Sequence, residues 1–167
     1  MLGSLFKKLM LVAGVAVLFA ACAKKEQPVV TPPAEPAAPA APVVRGPIPG
    51  SQEDLAVTAG DRVFFDFDSS ELDGTDRATL QSQVAWLNKF SNLRVTIEGH
   101  CDERGTREYN LALGERRAAA VKNYLVALSI SGSRLDTISY GKERPIAFGS
   151  NEAAWAQNRR GVTMVNP

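Results

Sequence analysis

The side chains best suited to chemistry in this sequence form one short run, His100, Cys101, Asp102 and Glu103, which contains the only histidine. A structural zinc site usually takes four converging ligands in paired spacings, and the sequence has no second cluster of histidine or cysteine. Neighbouring residues of an extended segment point to opposite sides, so His100 and Cys101 are poorly placed to act together as base and nucleophile. The run therefore predicts no metal site, no cofactor and no catalysis, and it leaves Cys101 as a small apolar filler.

Arg117 is the second candidate, because a predicted helix places it close to a buried face. The helix begins at about Arg107, and residues at steps of three and four form its apolar face: Ala118, Val121, Leu125 and Leu128. At about 100° per residue, Arg116 points into solvent, whereas Arg117 lies at the edge of the apolar face. A guanidinium held there needs an anionic partner, from the protein or from a ligand.

Two interpretations of Arg117 follow from the residues around it. Asp102 lies in the turn before the helix, Asn110 lies on a nearby line of the helix surface, and Thr106 is suited to be the N-cap. The unpaired N–H groups of the first turn then face the same region. These groups suit a small zwitterion, with its ammonium on Asp102 and its carboxylate on Arg117 and the N–H groups. An internal salt bridge between Asp102 and Arg117 fits the spacing equally well, so both interpretations stay open.

Strands and helices alternate along the part of the chain that would position these residues. Hydrophobic periodicity predicts strands at 63–67, 93–98, 136–140 and 162–165, and helices at 74–90, from 107, and over a short turn at 152–157. Asp68, Ser69 and Ser70 offer the turn and the cap before the first helix, and Trp86 is expected in the core. The order β-α-β-α-β-(short α)-β predicts an α+β fold, a two-layer α/β sandwich of about 110 residues.

The first residues predict export and anchoring. Lys7 and Lys8 precede an apolar run of about 13 residues that ends in small residues before Cys22, a pattern typical of a secretory signal. The run is shorter than the roughly 20 residues of a membrane-spanning helix. The stretch LFAAC resembles the lipobox of bacterial lipoproteins, which implies a signal peptide at 1–21 and acyl chains on Cys22. Ala23 stands where an aspartate would signal retention in the inner membrane, so the resemblance implies the outer membrane.

Composition separates a spacer from a folded domain. Eight of the ten prolines lie between residues 23 and 50, which predicts a disordered tether at 22–50 and a folded domain at 51–167. Nineteen basic and eighteen acidic residues nearly cancel, so no overall field favours nucleic acid as a partner. With Cys22 expected to carry lipid, the two cysteines do not form a disulfide framework.

Four stretches of the chain resemble the OmpA-like peptidoglycan-binding domains. The run EGHCDERGTREYNLALGERRAAAVKNYL is similar to the signature of that family, and FFDFDSSEL, GKERP and NRRGVTMVN are similar to its flanking blocks. The resemblance covers about residues 61 to 166. It implies that the following residues form the binding site: Asp102 and Arg117, which would hold a zwitterion, together with Asn110, Asp66, Asp68, Arg159 and, at the pocket edge, Phe67. Cys101 departs from the pattern, because relatives usually carry a small residue or threonine there.

The resemblance also implies a function and partners. The expected ligand is the peptide stem of peptidoglycan, chiefly the side-chain end of diaminopimelate, bound without covalent chemistry. The chain would be anchored in the outer membrane through Cys22, face the periplasm, and work with periplasmic Tol proteins such as TolB in envelope integrity and cell division. Three alternatives are a periplasmic lipoprotein that binds mainly proteins, a flagellar stator anchor, which would need a spanning helix with an acid, and a peptidoglycan-cleaving enzyme.

Overall fold

Residues 46–166 are described by the structure, a computed structural model of the chain. The predicted signal peptide, Cys22 and the tether up to residue 45 lie outside the described residues. The strands are β1 (Arg62–Phe64), β2 (Val95–His100), β3 (Leu135–Gly141) and β4 (Arg160–Val165). The helices are α1 (Gln52–Thr58), α2 (Gly74–Lys89), α3 (Arg107–Ala127) and α4 (Glu152–Asn158), with one 3-10 turn at Gly132–Arg134. Within residues 46–166, none of the helices is both long and apolar enough to cross a membrane.

The four strands form one mixed sheet in the order β1-β4-β2-β3. The long helix α3 connects β2 to β3, which run parallel, and β4 runs antiparallel to both β1 and β2. Residues of β2 alternate in burial, and Val95 and Ile97 are fully buried in a core shared with α2 and α3. Trp86 is 4% exposed in the same core, as the sequence predicts. The predicted two-layer α/β sandwich is therefore confirmed.

Two glycines allow α3 to lie directly on β2. A Cβ atom at Gly99 would lie 2.6 Å from the carbonyl carbon of Gly114 and closer still to its oxygen. Only residues without side chains permit this approach of a helix backbone to a strand backbone. The contact places Arg117, one turn after Gly114, beside the last residue of β2, His100.

Several predicted boundaries are wrong. The first strand ends at Phe64, so Asp66, Phe67 and Asp68 lie in the loop that follows it and not on a strand. The helix α2 is capped by Asp73, which forms a capping box with Asp76, and not by Asp68, Ser69 or Ser70. The strand β2 (Val95–His100) begins and ends two residues later than predicted, and β4 (Arg160–Val165) begins two residues earlier than predicted.

The helix α1 is absent from the sequence-based prediction. It has a Ser51 N-cap, which accepts a hydrogen bond from the Asp54 backbone N–H at 3.2 Å, and acidic residues in its first turn. These are ordinary start signals, but they mark a helix of only seven residues. Such a short helix depends on packing for its stability, and here Leu55 is fully buried in the common core.

Candidate functional site

A cleft of about 130 Å³ opens where the end of β2 meets the first turns of α3. Its walls include five of the seven residues predicted to form the site: Phe67, Asp68, Asp102, Asn110 and Arg117. They come from the loop after β1, the turn after β2 and two positions of α3. The fold thus gathers most of the predicted set around one opening.

Arg117 is completely buried, and its guanidinium is held by backbone carbonyls. Its Nε donates to the carbonyl of Ser69 at 2.8 Å, Nη1 to that of His100 at 2.8 Å, and Nη2 to that of Asp66 at 3.0 Å. Among the described residues no carboxylate forms an ion pair with it, and these bonds use three of its five N–H groups. Burial lowers the pKa of Arg117, although a guanidinium stays charged in proteins. The result is a desolvated positive charge that, among the described residues, has no carboxylate within ion-pair distance.

Asp102 is also buried, but its carboxylate is paired. It accepts from the Arg104 side chain, Nη2 to Oδ2 at 2.6 Å and Nε to Oδ1 at 3.2 Å, and from Arg159 Nη1 at 3.5 Å. Burial alone would raise the pKa of Asp102, but the bonds from Arg104 outweigh it and hold the pKa below its usual value. The carboxyl therefore stays ionised at neutral pH. The interpretation of an internal Asp102–Arg117 salt bridge is wrong, because Asp102 is paired with Arg104 and Arg159 instead.

Asn110 stabilises the turn before α3. Its side-chain Nδ2 donates to the backbone carbonyls of Arg104 at 2.7 Å and Thr106 at 3.0 Å. The backbone carbonyl of Asn110 accepts a hydrogen bond from the Cys101 thiol at 3.3 Å. Thr106 is the N-cap of α3, as predicted, and accepts from the Tyr109 backbone N–H at 3.2 Å. Asn110 lines the cleft, but its side-chain amide donates hydrogen bonds that stabilise the turn.

The rim of the cleft is aromatic. Phe67 is 62% exposed, and its ring centre lies 4.1 Å from the guanidinium carbon of Arg104. On the other side the Trp155 ring centre lies 4.0 Å from the same carbon. Asp68 accepts a hydrogen bond from the Tyr109 hydroxyl and has a positive φ of 53°. Sequence reasoning did not identify Arg104, Tyr109 and Trp155 as site residues. Only the position of Arg104, two residues after Asp102, could have indicated its role.

Asp66 and Arg159, the other two predicted residues, line a second cleft of about 460 Å³. Asp66 contributes its backbone carbonyl to Arg117, as described above. Arg159 is buried, and it joins Asp102 to the Phe65 carbonyl at 2.9 Å and to the Glu152 carboxylate at 2.6 Å. Both residues therefore support the first cleft from behind.

His100 and Cys101 contribute to packing. His100 is 2% exposed, its Nε2 lies 3.3 Å from a Glu98 carboxylate oxygen, and burial with nearby Arg160 and Arg144 lowers its pKa to about 3. The imidazole is therefore neutral at physiological pH. Burial raises the pKa of the Cys101 thiol, which keeps it protonated. No group of three or more potential metal ligands is arranged for a metal within residues 46–166.

Known proteins are similar to this chain over most of its described residues. A family model described as the OmpA family matches residues 64–159. The chain is 56% identical over 117 residues to the peptidoglycan-associated lipoprotein of Rhizobium meliloti (strain 1021), a match that covers 70% of this chain and 66% of that protein. It is 53% identical over 118 residues to that of Mesorhizobium japonicum, with 71% and 70% covered. The crystal structure of the peptidoglycan-associated lipoprotein from Burkholderia pseudomallei superposes with a TM-score of 0.62 at 42% identity, covering 64% of this chain and 90% of that one. The match thus spans just under two thirds of the length of the first of these relatives.

Proposed function

The chain belongs to the OmpA family, among the peptidoglycan-associated lipoproteins, and from this premise we propose that its cleft binds the peptide stem of peptidoglycan. The observation that carries the proposal is the buried Arg117, which has three carbonyl partners but no carboxylate, beside the ionised Asp102. A buried charge of this kind favours a ligand that brings the opposite charge. Both residues are among those that the family resemblance implies for a zwitterion site.

The side-chain end of diaminopimelate fits the shape and the charges of the cleft. It carries an ammonium and a carboxylate on one carbon, so Asp102 can accept the ammonium while Arg117 takes the carboxylate. A cleft of about 130 Å³ is smaller than the roughly 300–1,000 Å³ of pockets for drug-sized ligands. It therefore suits the end of one side chain, with the rest of the stem and the glycan outside. The aromatic rim of Phe67 and Tyr109 is exposed to contact them.

Binding, and not catalysis, is the activity we propose. A nucleophilic or acid–base mechanism needs a group whose pKa is tuned to its task. In the described domain His100 is buried and neutral, and the Cys101 thiol is buried and protonated. The charged groups at the cleft are ones that hold an ionic ligand.

Replacing Asp102 by asparagine is expected to weaken binding to purified sacculi by roughly 30-fold or more. The substitution keeps the shape of the side chain but removes the charge that meets the ammonium. Co-sedimentation over a range of sacculus concentrations measures the effect. Asp136→Asn is the matched control, because Asp136 is an exposed acid that pairs with Arg94 at 3.0 Å, away from the cleft. Equal sedimentation of Asp102→Asn and wild type would contradict the proposed site.

The position of the cleft supports a role in linking two layers of the envelope. Gln52, near the first described residues, accepts from the Val165 backbone N–H at 2.8 Å, at the end of β4. Arg159, which directly precedes β4, lies behind the cleft, and a strand of six residues spans about 20 Å. The chain therefore enters the domain at the end of the sheet opposite to the cleft. The first described residues therefore do not obstruct the cleft.

We propose that Cys22 carries the lipid anchor in the outer membrane, with the domain facing the periplasm. Mass spectrometry of the mature protein is expected to find Cys22 as the first residue, with acyl chains attached. More than one chain is required for stable anchoring, because a single chain binds membranes only marginally. In Cys22→Ser the protein should move from the membrane fraction to the soluble periplasmic fraction. An unmodified cysteine in the mature wild type would exclude the anchor.

The proposed role is a link between the outer membrane and the cell wall within the Tol–Pal system, which supports envelope integrity and constriction at division. Periplasmic Tol proteins such as TolB are the proposed protein partners. The exposed rings of Phe67 and Tyr109, 62% and 46% accessible, favour a protein contact that overlaps the cleft. A lipoprotein that binds mainly proteins remains the second candidate for the same reason, and the sacculus experiment separates the two.

A further inference from the structure

Arg104 is the partly exposed cationic partner of Asp102 at the cleft. Its guanidinium forms a two-point fork on Asp102, with Nη2 at 2.6 Å from Oδ2 and Nε at 3.2 Å from Oδ1, and its backbone N–H adds a third bond to Oδ1 at 3.0 Å. Two parallel bonds of this kind are the preferred geometry between arginine and a carboxylate. The anionic half of the site is therefore already neutralised.

Two aromatic rings hold the guanidinium in this position. It lies between Phe67 and Trp155, with its central carbon 4.1 Å and 4.0 Å from their ring centres. A guanidinium plane favours this kind of stacking. The side chain is nevertheless 31% exposed, so it can leave Asp102 for solvent without disturbing the core. The turn that carries it is held separately, by the Asn110 amide on the Arg104 carbonyl.

The two halves of the cleft therefore differ in the free protein. Asp102 has two cationic partners from its own chain, the partly exposed Arg104 and the buried Arg159. Arg117 has only backbone carbonyls among the described residues. We propose that Arg104 competes with the ligand's ammonium group for the Asp102 carboxylate. The ammonium binds Asp102 only by displacing the guanidinium of Arg104. This inference rests on the proposed function of the cleft.

Such a competitor lowers the affinity of every ammonium-bearing ligand, so that only a ligand with an additional contact at Arg117 binds well. Every ammonium group has to replace Arg104, but only a ligand that also carries a carboxylate recovers binding energy at Arg117. A stem that ends in the simple amine of lysine meets the competitor without that compensation, so it binds weakly. A stem with a carboxylate alone reaches Arg117 and leaves Arg104 in place.

Three otherwise identical tripeptides test this mechanism on the full-length chain in detergent micelles. Each has the form L-Ala–γ-D-Glu–X amide and differs only at the end of the X side chain. Diaminopimelate carries an ammonium and a carboxylate there, lysine carries only the ammonium, and 2-aminopimelate carries only the carboxylate. Calorimetry measures their dissociation constants for the wild type, Arg104→Gln and the control Arg94→Gln. Arg94 is an exposed arginine that also pairs with an aspartate, Asp136, at 3.0 Å.

Arg104→Gln is expected to tighten binding of the diaminopimelate and lysine peptides by the same factor. That factor is about fivefold, which corresponds to the free energy of a partly exposed ion pair. The 2-aminopimelate peptide should be unaffected, and Arg94→Gln should change none of the three. Arg104→Lys keeps the charge but loses the fork, so it should tighten binding in the same direction by a smaller factor. A second readout is Trp155 fluorescence, which should change when the diaminopimelate peptide displaces Arg104 and stay constant with 2-aminopimelate.

Two other results would overturn the inference. Weaker binding of the carboxylate-bearing peptides to Arg104→Gln would show that Arg104 contacts the ligand directly. Unchanged affinities for all three peptides would show that it does not compete. In both cases the wild type still binds, and the proposed function stands. If the wild type binds none of the peptides, the proposed function fails, and this inference fails with it.

Discussion

Gly99→Ala is expected to destabilise the domain by about 3 kcal/mol or more, a large share of the roughly 5–15 kcal/mol that keeps a typical domain folded. The new methyl group would overlap the Gly114 carbonyl, with 2.6 Å to its carbon. The three nearest atoms all belong to the backbone of Gly114 in α3, so no flexible side chain can move aside. Relief requires α3 to lift from β2, which also withdraws Arg117 from the carbonyl of His100. Urea unfolding followed by circular dichroism measures the loss.

Gly74→Ala is the matched control for this substitution. A Cβ atom at Gly74, in the first turn of α2, would have no heavy atom within 4 Å. Alanine there should leave stability unchanged or raise it slightly, by about 0.4–1 kcal/mol. An unfolding midpoint for Gly99→Ala equal to that of the wild type would show that the glycine contact does not determine how α3 is seated.

Arg117→Met is expected to abolish binding to sacculi and also to destabilise the domain by about 3 kcal/mol. Methionine has a similar length, but it removes the donors for three backbone carbonyls: Asp66, Ser69 and His100. Carbonyls left without a donor in a buried setting carry their full desolvation cost. Arg117 thus joins three segments of the chain while presenting the charge that we propose meets the ligand carboxylate. Urea unfolding and sacculus co-sedimentation measure the two losses separately.

Arg116→Met, one residue earlier, controls for the loss of an arginine from α3. Arg116 is exposed, so stability should change by no more than about 0.5 kcal/mol, and sacculi should still bind. Sedimentation must be measured at a temperature where Arg117→Met is folded, so that loss of binding is not loss of fold. A folded Arg117→Met protein that sediments with sacculi like the wild type would exclude Arg117 from the binding site.

Elements with a clear local period were predictable. The apolar stripe of α3 follows from steps of three and four residues. It correctly placed Arg116 in solvent and set Arg117 at the edge of the apolar face, where the structure buries it completely. The N-cap Thr106 was also correct, because its bond to the Tyr109 backbone spans one turn. The helix α1 was missed, because a helix of seven residues carries too few repeats for its period to stand out from the sequence.

Errors arose where a side chain or backbone group has a choice of partners. The alternation after Phe64 suggested a longer strand, but the carbonyls of Phe65 and Asp66 are taken by Arg159 and Arg117 and not by another strand. For Asp102 the spacing left two interpretations equally open, a salt bridge with Arg117 or a ligand ammonium, and it did not indicate Arg104. Asp102 is paired with Arg104, two residues away, because the turn folds its side chain back onto the carboxylate.

The sequence by itself determined the order of elements, the residues that turn inward and the family resemblance, because each depends on short-range periodicity or on a contiguous run. The tertiary structure decided what those inward residues meet. Arg117 contacts the carbonyl of Ser69 across 48 positions, and Arg159 contacts Asp102 across 57. Residues so far apart in sequence meet only through tertiary packing, which here includes the close approach of Gly99 to Gly114. For that reason the buried arginine could be predicted from sequence, whereas its lack of a carboxylate partner and the pairing of Arg104 with Asp102 could not.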